Sequence, residues 1–494
     1  MGKRIVTNPA TMIDGYKTGH IHDYPDGTQV VYSTWTPRDS RTGETGVVFF
    51  GLQAFIKKYL VDEWGKNFFG QPKDEIIDRY KRRLDGYLGP DNNVGTNHIA
   101  ALHDLGYLPL RFKALPEGAV VPIRVPMLTV ENTDERFAWL VNYFETLMSC
   151  QLWLPSTSAT TALAFRRIME RYAYATGAPV EFVDWQGHDF SFRGMGGLES
   201  AQLSGSGHLL LFTGTDTIPA IDFLEDYYDA TGLIGGSVSA TEHSVMCAGG
   251  NDEGNEQATF ERLMNIHPNG ILSVVSDTWD LWNVLTVILP NLKDQIESRE
   301  GKLVIRPDSG DPVKIIVGDP EAPVGSPAHK GVVELLWDTF GGTETDKGFK
   351  VLSDSVGSIY GDSINLARAD AIFLGLMKKG FASNNVVLGI GSFSYQFATR
   401  DVYGFAMKAT LVKINDEWKE IYKSPVTDNG MKKSARGRIA VLNDAPKPLT
   451  PSYRMIDQQP EYTPEDQLQE VWVDGEFKVW YDLNTIRETV RRFI

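Results

Sequence analysis

The sequence is poor in cysteine, since its 494 residues include only Cys150 and Cys247. Two cysteines cannot form a disulfide framework or a multi-cysteine zinc site, so we expect a reducing compartment, the cytoplasm. Long apolar runs are missing as well: no stretch approaches the roughly 18 residues of a membrane-spanning helix. The first residues also lack the apolar segment of a secretion signal. These absences predict a cytoplasmic protein with no membrane partner.

Positive charge is also scarce. Lysine and arginine together number 48 against 64 aspartates and glutamates, which gives a net charge of −16. A protein that binds a nucleic-acid duplex needs a wide basic surface, so we expect no nucleic-acid partner. Small anions are not excluded, because a few arginines suffice to bind them. The composition, 42% hydrophobic and 23% charged, is that of an ordinary globular protein with a large core.

The middle of the chain, residues 156–394, alternates short β-rich runs with longer helical patterns. Successive runs are often about 30 residues apart, the length of a β-α-β unit, which predicts a parallel sheet closed into a (β/α) barrel. The flanking regions are turn-rich, and the second contains a basic cluster, MKKSARGR at 431–438. The strand candidates are 179–185, 208–216, 235–243, 271–277, 302–310, a run within 349–362, and 386–392.

Polar residues or glycines follow every predicted strand of the barrel. In such a barrel the functional residues lie at the carboxyl ends of the strands. Any one of these residues could be structural, for example a helix cap, but together they predict a polar cavity on one face. In strand order they are Phe190 and Arg193, Asp216, Glu242 and His243, Ser276 and Asp277, Arg306 with Asp308 and Gly310, Gly361 and Asp362, and Gly389 and Gly391.

These residue types fit a ligand that combines phosphate, sugar hydroxyls and an aromatic base. The arginines suit phosphate or carboxylate, and the glycines let backbone N–H groups approach phosphate. The aspartates can hold ribose hydroxyls or, through water, a magnesium ion. Phe190 offers a flat face to a ring, and His243 is interpreted as the only strand-end group that titrates near neutrality. A P-loop is absent, and the G-x-G pieces at 205–207 and 389–391 lack the rest of a dinucleotide-binding motif.

At these residues the sequence resembles the nicotinamide phosphoribosyltransferases of the type II phosphoribosyltransferase family, essentially from end to end. The order and spacing of the shared blocks make the resemblance more specific than any single motif. The blocks are DGYKTGH at 14–20, VVFFGLQ at 47–53, DFSFRG at 189–194, FTGTDT at 212–217, TEHS at 241–244, SVVSDTWD at 273–280, IRPDSG at 305–310, YGDSIN at 360–365, TRD at 399–401 and KSPVTD at 423–428.

The resemblance implies a fold and a reaction. The fold is α/β: an irregular (β/α) barrel over 156–394, and a second α+β sheet domain built from both chain termini, 1–155 plus 395–494. The reaction joins nicotinamide to 5-phosphoribosyl-1-pyrophosphate, giving nicotinamide mononucleotide and pyrophosphate in NAD salvage. It implies Mg²⁺ as cofactor and ATP as co-substrate, hydrolysed through a phosphorylated histidine. It also implies a homodimer with active sites at the subunit interface.

The resemblance further implies a set of substrate contacts. The pyridine ring lies between Phe190 and Tyr16, with Tyr16 supplied by the other subunit. Asp216 accepts a hydrogen bond from the carboxamide nitrogen, and Arg306 lies near the carboxamide oxygen. Asp308 and Asp362 hold the ribose hydroxyls. The remaining substrate-binding residues implied are Asp14, Arg193, Ser273, Gly361, Gly391 and Ser392, with Gly391 near the 5′-phosphate.

Catalytic and phosphate-binding residues follow from the same resemblance. His243 is the phosphorylated histidine, oriented by Asp277 and with Glu242 beside it, and Asp308 is counted with this catalytic group. The cations implied for pyrophosphate or the ATP phosphates are Arg38, Arg400, Lys408, Lys423 and Lys432, and the metal ligands are left open. The chain departs from the family where GIGSFS places Ser392 and Phe393 at positions usually occupied by glycine.

Three alternatives compete with this interpretation. A nicotinate phosphoribosyltransferase shares the fold and the chemistry, but the carboxylate of Asp216 would repel a substrate carboxylate. A non-catalytic protein that keeps the fold would not need His243, Asp277 and Asp308 together. An unrelated sugar-phosphate barrel enzyme would not share the ten blocks. The sequence therefore predicts an enzyme that takes nicotinamide.

Overall fold

The structure is a computed structural model. Its residues cluster into two compact units, here called the sheet unit and the barrel unit. Within the residues that the structure describes, no helix is long and apolar enough to cross a membrane. The described residues are 7–249, 255–424, 434–446 and 449–494.

The sheet unit comprises the chain up to Thr157, the segment Phe223–Ala230, and Ala398–Phe493. The segment Phe223–Ala230 clusters here although it lies within the range 156–394. A seven-stranded antiparallel sheet combines strands from both ends of the chain, which confirms the predicted second sheet domain. In spatial order its strands are Glu417–Glu420, Ala406–Ile414, Thr28–Thr36, Leu128–Asn132, Leu110–Ala114, Gln469–Val473 and Glu476–Phe477.

The two ends of the chain share one core in the sheet unit. Thr28–Thr36 pairs with Ala406–Ile414 along its length, and the ring of Trp35 stacks on Phe405 with centroids 4.5 Å apart. Both rings are fully buried. Two-stranded ladders join Gly46–Val48 with Val120–Pro122 and Ala440–Asn443 with Tyr453–Ile456. The α-helices that begin in this unit are His20–Asp23, Leu52–Phe55, Lys73–Leu88, Asn97–Leu105, Leu140–Tyr143, Glu145–Thr176 and Leu483–Arg491.

The barrel unit comprises Ser158–Asp222 and Thr231–Phe397. Its seven-stranded sheet is parallel throughout. A parallel bridge between Gly214 and Gly236 carries the hydrogen bonding from one edge of the strand order towards the other. This arrangement confirms the predicted irregular barrel. In spatial order the strands are Gly214–Thr215, Gly187–Asp189, Val386–Ile390, Val356–Tyr360, Leu303–Arg306, Leu272–Val275 and Ser239–Ala240.

The predicted helical patterns of the barrel unit form helices. Asp280 caps the run that begins at Leu281 by accepting the N–H groups of Trp282 and Asn283, so neither Ser276 nor Asp277 is that cap. A short antiparallel hairpin, Gly342–Glu344 with Lys350–Leu352, lies outside the barrel sheet. The α-helices are Val183–Gln186, Leu198–His208, Ile218–Tyr228, His243–Ala248, Glu256–Ile266, Leu281–Asn283, Leu289–Asn291, Lys293–Ser298, Pro312–Val317, Pro327–Phe340, Leu366–Lys378 and Ser392–Tyr395, and Val284–Ile288 is π-helical.

Two of the predicted strands are misplaced. The segment predicted at 179–185 forms helical turns, and the strand starts only at Gly187. The segment predicted at 208–216 begins with the end of the helix Leu198–His208, and only Gly214–Thr215 is a strand. Both segments are short apolar runs, and burial alone does not distinguish a strand from a helix end.

Candidate active site

The parallel sheet brings the predicted strand-end residues to one edge of the barrel, because each follows the carboxyl end of a neighbouring strand. Arg306 is the last residue of its strand, and Ser273 lies within Leu272–Val275. A cavity of about 420 Å³ occupies the barrel interior. Phe190, Asp216, Ser273 and Arg306 all contribute to its wall. A second cavity of about 480 Å³ shares Phe190 and Asp216 and adds Arg193.

The ring of Phe190 lies against two glycines. A Cβ atom on Gly389 would come within 2.4 Å of the ring, and one on Gly361 within 3.4 Å. The ring of His188 lies 4.6 Å from that of Phe190, between centroids. Gly389 and Gly361 therefore make room for an aromatic wall, whereas the space beside Gly391 is open. An aromatic face and an open glycine turn at the same edge suit an aromatic base joined to a phosphate.

Asp216 points into this cavity and is held there by two hydrogen bonds. His188 Nε2 lies 2.9 Å from Asp216 Oδ1, and Ser237 Oγ donates to the same oxygen at 2.6 Å. Burial alone would raise the pKa of Asp216, but the hydrogen bonds from His188 and Ser237, aided by the positive charge of Arg306, keep that pKa below its ordinary value. Asp216 is therefore an ionised acceptor at neutral pH.

Sequence reasoning missed His188 and Ser237. His188 lies two residues before Phe190 in the strand Gly187–Asp189, which is too short for the alternation of side chains to mark it. Ser237 lies in the segment 235–243, where only Ser239–Ala240 forms a strand, and no periodic signal marks it.

His243 is half-exposed, and it lies beside Asp277. Its Nδ1 is 3.1 Å from Thr278 Oγ1, which is a hydrogen bond, whereas its Nε2 is 3.8 Å from Asp277 Oδ1, which is an ion-pair distance. The other oxygen of Asp277 accepts hydrogen bonds from the Asp308 N–H at 2.9 Å and from Ser309 Oγ at 2.5 Å. Thr278, which no sequence pattern marks as functional, is thus the direct hydrogen-bond partner of His243. Glu242 accepts a hydrogen bond from Ser244 instead.

Negative charge accumulates around Arg306. Burial raises the pKa of Asp308; Arg306 opposes this rise, and the charges of Asp277 and Asp362 add to it. Burial likewise lowers the pKa of Arg306. Arg306 Nε and Asp277 Oδ1 are buried and have no hydrogen-bond partner among the residues that the structure describes. Buried polar atoms without partners are rare, so this edge of the barrel suits a polar ligand.

The sheet unit holds most of the predicted cations. Burial lowers the pKa of Lys408; Glu145 opposes this, and the charges of Arg38, Lys423 and Arg400 lower it further. These four cations therefore lie close enough to interact, which suits an anion of high charge. Arg38 Nε donates to the Gly404 carbonyl at 2.8 Å. Lys432 lies outside the described residues.

Asp14 and Tyr16 also belong to the sheet unit. The Tyr16 hydroxyl donates to Asp14 Oδ2 at 3.4 Å, and Thr146 Oγ1 donates to the same oxygen at 2.7 Å. The neighbouring Lys17, which is buried, pairs with Glu145 at 2.8 Å. The side chain of Tyr16 itself stays 63% exposed. The segment around Asp14 and Lys17 is thus anchored, while most of the Tyr16 side chain stays exposed and can contact a ligand.

Comparison with known proteins agrees with this geometry. The family model described as the nicotinate phosphoribosyltransferase (NAPRTase) family matches residues 185–476, and that of the nicotinamide phosphoribosyltransferase N-terminal domain matches residues 8–82. A nicotinamide phosphoribosyltransferase of Acinetobacter baylyi is 50% identical over 97% of this chain and 96% of its own. One of Mycoplasma pneumoniae is 37% identical over 86% and 94%. The structure of human nicotinic acid phosphoribosyltransferase, 15% identical, covers 99% of this chain and 93% of its own with a TM-score of 0.57, which shows a shared fold.

Proposed function

The chain belongs to the nicotinate phosphoribosyltransferase family, and from this premise we propose that it transfers the 5-phosphoribosyl group of phosphoribosyl pyrophosphate to nicotinamide. The products are nicotinamide mononucleotide and pyrophosphate, and the reaction serves NAD salvage. The observation that carries the proposal is the ionised Asp216 beside Phe190 in the barrel cavity. The curated relatives named above, which carry the name nicotinamide phosphoribosyltransferase, support it.

Recognition of the amide follows from charge. Asp216 Oδ1 already accepts from His188 and Ser237, which leaves Oδ2 to accept a hydrogen bond from the carboxamide nitrogen. Arg306 supplies donors for the carboxamide oxygen. Nicotinate would bring a second carboxylate against Asp216, and this repulsion disfavours the alternative substrate. Phe190 forms one side of the slot for the pyridine ring, and Tyr16 of a second subunit forms the other.

Ribose and its 5′-phosphate extend away from the ring. Asp308 and Asp362 accept hydrogen bonds from the ribose hydroxyls, and Ser273 lies on the cavity wall. Gly391 has open space beside its Cα, so its backbone can approach the 5′-phosphate closely. The remaining predicted contacts of this part are Arg193, Gly361, Ser392 and, from the chain start, Asp14.

In the reaction the ring nitrogen of nicotinamide forms a bond to ribose C1 while the bond from C1 to the pyrophosphate oxygen breaks. Positive charge develops on the ribose, and the departing pyrophosphate carries negative charge. Cations stabilise that leaving group electrostatically. We assign this role to Arg38, Arg400, Lys408 and Lys423, together with Lys432.

Magnesium fits the carboxylates of the barrel edge. Among the described residues no cluster of three or more such side chains could hold a metal by itself. Mg²⁺ commonly uses only one or two carboxylates together with substrate phosphates and water. Asp277, whose buried Oδ1 accepts no hydrogen bond from the residues that the structure describes, and the nearby Asp308 and Asp362 would hold it through water. The ion would supply positive charge to the pyrophosphate.

ATP coupling is assigned to His243. Its half-exposed ring leaves Nε2 available to accept a phosphoryl group, while Thr278 fixes Nδ1. The neutral ring takes the terminal phosphoryl group of ATP on Nε2 while ADP leaves, and Asp277, at ion-pair distance, stabilises the positive charge that the ring gains in this step. Glu242 precedes the histidine at the start of the helix His243–Ala248. The enzyme on this proposal is a cytoplasmic homodimer in which the sheet unit of one subunit completes the barrel site of the other.

The test is a product assay. Purified protein with phosphoribosyl pyrophosphate and Mg²⁺ should release pyrophosphate only when nicotinamide is added, with an equal amount of nicotinamide mononucleotide. Addition of ATP should raise the yield and consume ATP during turnover. Pyrophosphate release without mononucleotide, or no release with any pyridine, would refute the proposed transfer.

A further inference from the structure

Two buried side chains behind the cavity wall have no part in the reaction described so far. His208 ends the helix Leu198–His208, and Tyr395 ends the helix Ser392–Tyr395. Their exposed fractions are 0% and 1%. Burying two polar side chains is costly unless both are hydrogen-bonded, so their contacts need an explanation.

The two residues form a hydrogen-bonded chain with one direction. His208 Nε2 lies 2.9 Å from the Gly214 carbonyl oxygen, and its Nδ1 lies 2.6 Å from the Tyr395 hydroxyl. A carbonyl oxygen can only accept, so Nε2 carries the hydrogen. Burial lowers the pKa of His208 to about 4, so the ring is neutral and Nδ1 is an acceptor. Tyr395 therefore donates to His208, which donates to Gly214.

The hydrogen-bonded chain from Tyr395 through His208 to Gly214 joins two strand ends that are far apart in sequence. Gly214 lies on the strand that leads to Asp216, and a Cβ on Gly214 would come within 2.8 Å of His188 Nδ1. Tyr395 belongs to the turn that starts at Gly391, since its N–H donates to the Gly391 carbonyl. The Gly214 end of the hydrogen-bonded chain thus supports the carboxamide contacts, and the Tyr395 end supports the turn assigned to the 5′-phosphate.

In the sheet, the strand Gly187–Asp189 lies between the strands Gly214–Thr215 and Val386–Ile390, and its residue Asp189 interacts with the same buried side chains. Asp189 points away from the cavity, is fully buried, and accepts the Ser191 N–H at 2.8 Å, which orders the turn after Phe190. Its backbone carbonyl accepts the Asp216 N–H at 3.0 Å. The negative charge of Asp189 acts on both His208 and Tyr395. Three strand ends therefore share one buried polar support.

We propose that Tyr395 and His208 are positioning residues that set the spacing between the pyridine end and the phosphate end of the substrate site. Neither touches the substrate; they act through Gly214 and Gly391. The inference rests on the proposed function, because it assumes a ligand that spans both ends. Nicotinamide occupies only the pyridine end, whereas nicotinamide mononucleotide occupies both. Loss of the spacing should therefore weaken the mononucleotide and spare nicotinamide.

The experiment measures both affinities by calorimetry for the wild type and for Tyr395→Phe, which keeps the ring and removes only the hydroxyl. The variant should bind nicotinamide mononucleotide roughly tenfold more weakly and nicotinamide within about twofold of the wild type. His208→Gln keeps a donor for Gly214 but removes the Nδ1 acceptor, and it should give the same pattern. The double variant should be no weaker than either single one, because both remove one interaction.

The matched control is Tyr172→Phe, which removes the part-buried hydroxyl of a buried tyrosine that donates to Asp370 at 2.9 Å elsewhere in the barrel unit. It should leave both affinities unchanged. An equal loss of both ligands in Tyr395→Phe, or additive losses in the double variant, would overturn the positioning role. Unchanged mononucleotide binding in both folded variants would overturn it too. A wild type that does not bind the mononucleotide at all would instead refute the proposed function.

Discussion

At the scale of single residues, one oxygen of Asp216 is engaged by His188 and Ser237 while the side chain stays in contact with the cavity. The two hydrogen bonds fix the carboxylate plane and keep it ionised. An ionised acceptor binds an amide N–H more strongly than a neutral one and repels a carboxylate. Choice between amide and acid should therefore depend on the charge of this side chain.

Asp216→Asn tests that dependence. The substitution preserves shape and removes the charge, so the preference for nicotinamide over nicotinate should narrow by ~2–4 kcal/mol, on the order of 30- to 1,000-fold. The measurement is the ratio of the two kcat/KM values for wild type and variant. Asp222→Asn, on the exposed side of the next helix, is the matched control. An unchanged ratio in a folded, active Asp216→Asn would place amide selectivity elsewhere.

His243→Ala should keep the fold and the basal transfer but lose ATP coupling. This prediction follows from the half-exposed ring of His243, which lies between Thr278 and Asp277. Loss of one positioned catalytic group typically lowers a rate by on the order of 10²-fold or more. We therefore expect the amount of ATP hydrolysed per turnover to fall by about this factor. Acid-labile phosphate on the protein should vanish as well, and His329→Ala should retain it. ATP hydrolysis at the wild-type rate in His243→Ala would exclude His243 as the phosphorylated residue.

The sequence indicates the polar residues that follow strands more clearly than it indicates their hydrogen-bond partners. Asp216 and His243 follow strands and were found from that position. His188 was overlooked because a histidine inside a three-residue strand gives too little alternation to recognise. Ser237 and Thr278 act through tertiary contacts with Asp216 and His243, and no local pattern encodes such contacts.

At the scale of elements, Glu117 controls the start of a helical run in the sheet unit. It accepts the N–H of Gly51 at 2.8 Å and that of Gln53 at 2.7 Å, next to Leu52–Phe55. The Tyr228 hydroxyl donates to it at 2.9 Å. Burial nevertheless raises the pKa of Glu117 to about 7, against an ordinary 4.5. The folded protein thus binds this proton more tightly than the unfolded chain.

A raised pKa makes stability fall with pH. The contribution of Glu117 to the free energy of unfolding is full below pH 4.5 and is lost as pH rises through about 7. Between about pH 5 and about pH 8 this loss amounts to about 2–3 kcal/mol. Glu117→Gln should remove that part of the pH dependence, measured as the shift in the urea-unfolding midpoint between the two pH values. The control Glu461→Gln, at an exposed position, should keep the wild-type shift of the midpoint between the two pH values. The same shift in Glu117→Gln would contradict a raised pKa for Glu117.

Elements with clear boundaries were predicted correctly. The strands at 272–275, 303–306, 356–360 and 386–390 all lie within predicted runs. The prediction of a strand at HLLLFTG was wrong because its leucines are buried in the turn at the end of a helix, Leu198–His208, that also contains Gly205. A Cβ on Gly205 would approach Ala220 Cβ to 2.7 Å, so close helix packing explains a glycine that in the sequence indicates a loop.

At the scale of the whole molecule, the proposed homodimer places barrel residues and sheet-unit cations of different subunits in one site. A mixture of Arg400→Ala and His243→Ala chains then contains mixed dimers with one intact site each. After subunit exchange the mixture should regain roughly a quarter of the wild-type ATP-coupled rate, although each parent is defective. Arg38→Ala should behave like Arg400→Ala. No recovery despite demonstrated exchange would mean that each site is built from one chain.

The central claim, transfer to the amide, is tested most directly by internal competition. Wild-type protein receives phosphoribosyl pyrophosphate, Mg²⁺, ATP and equal concentrations of nicotinamide and nicotinate, and the two mononucleotides are quantified at low conversion. Their ratio equals the ratio of the two kcat/KM values. The charge of Asp216 predicts an excess of nicotinamide mononucleotide of at least about 30-fold. A mixture dominated by nicotinate mononucleotide would contradict the claim.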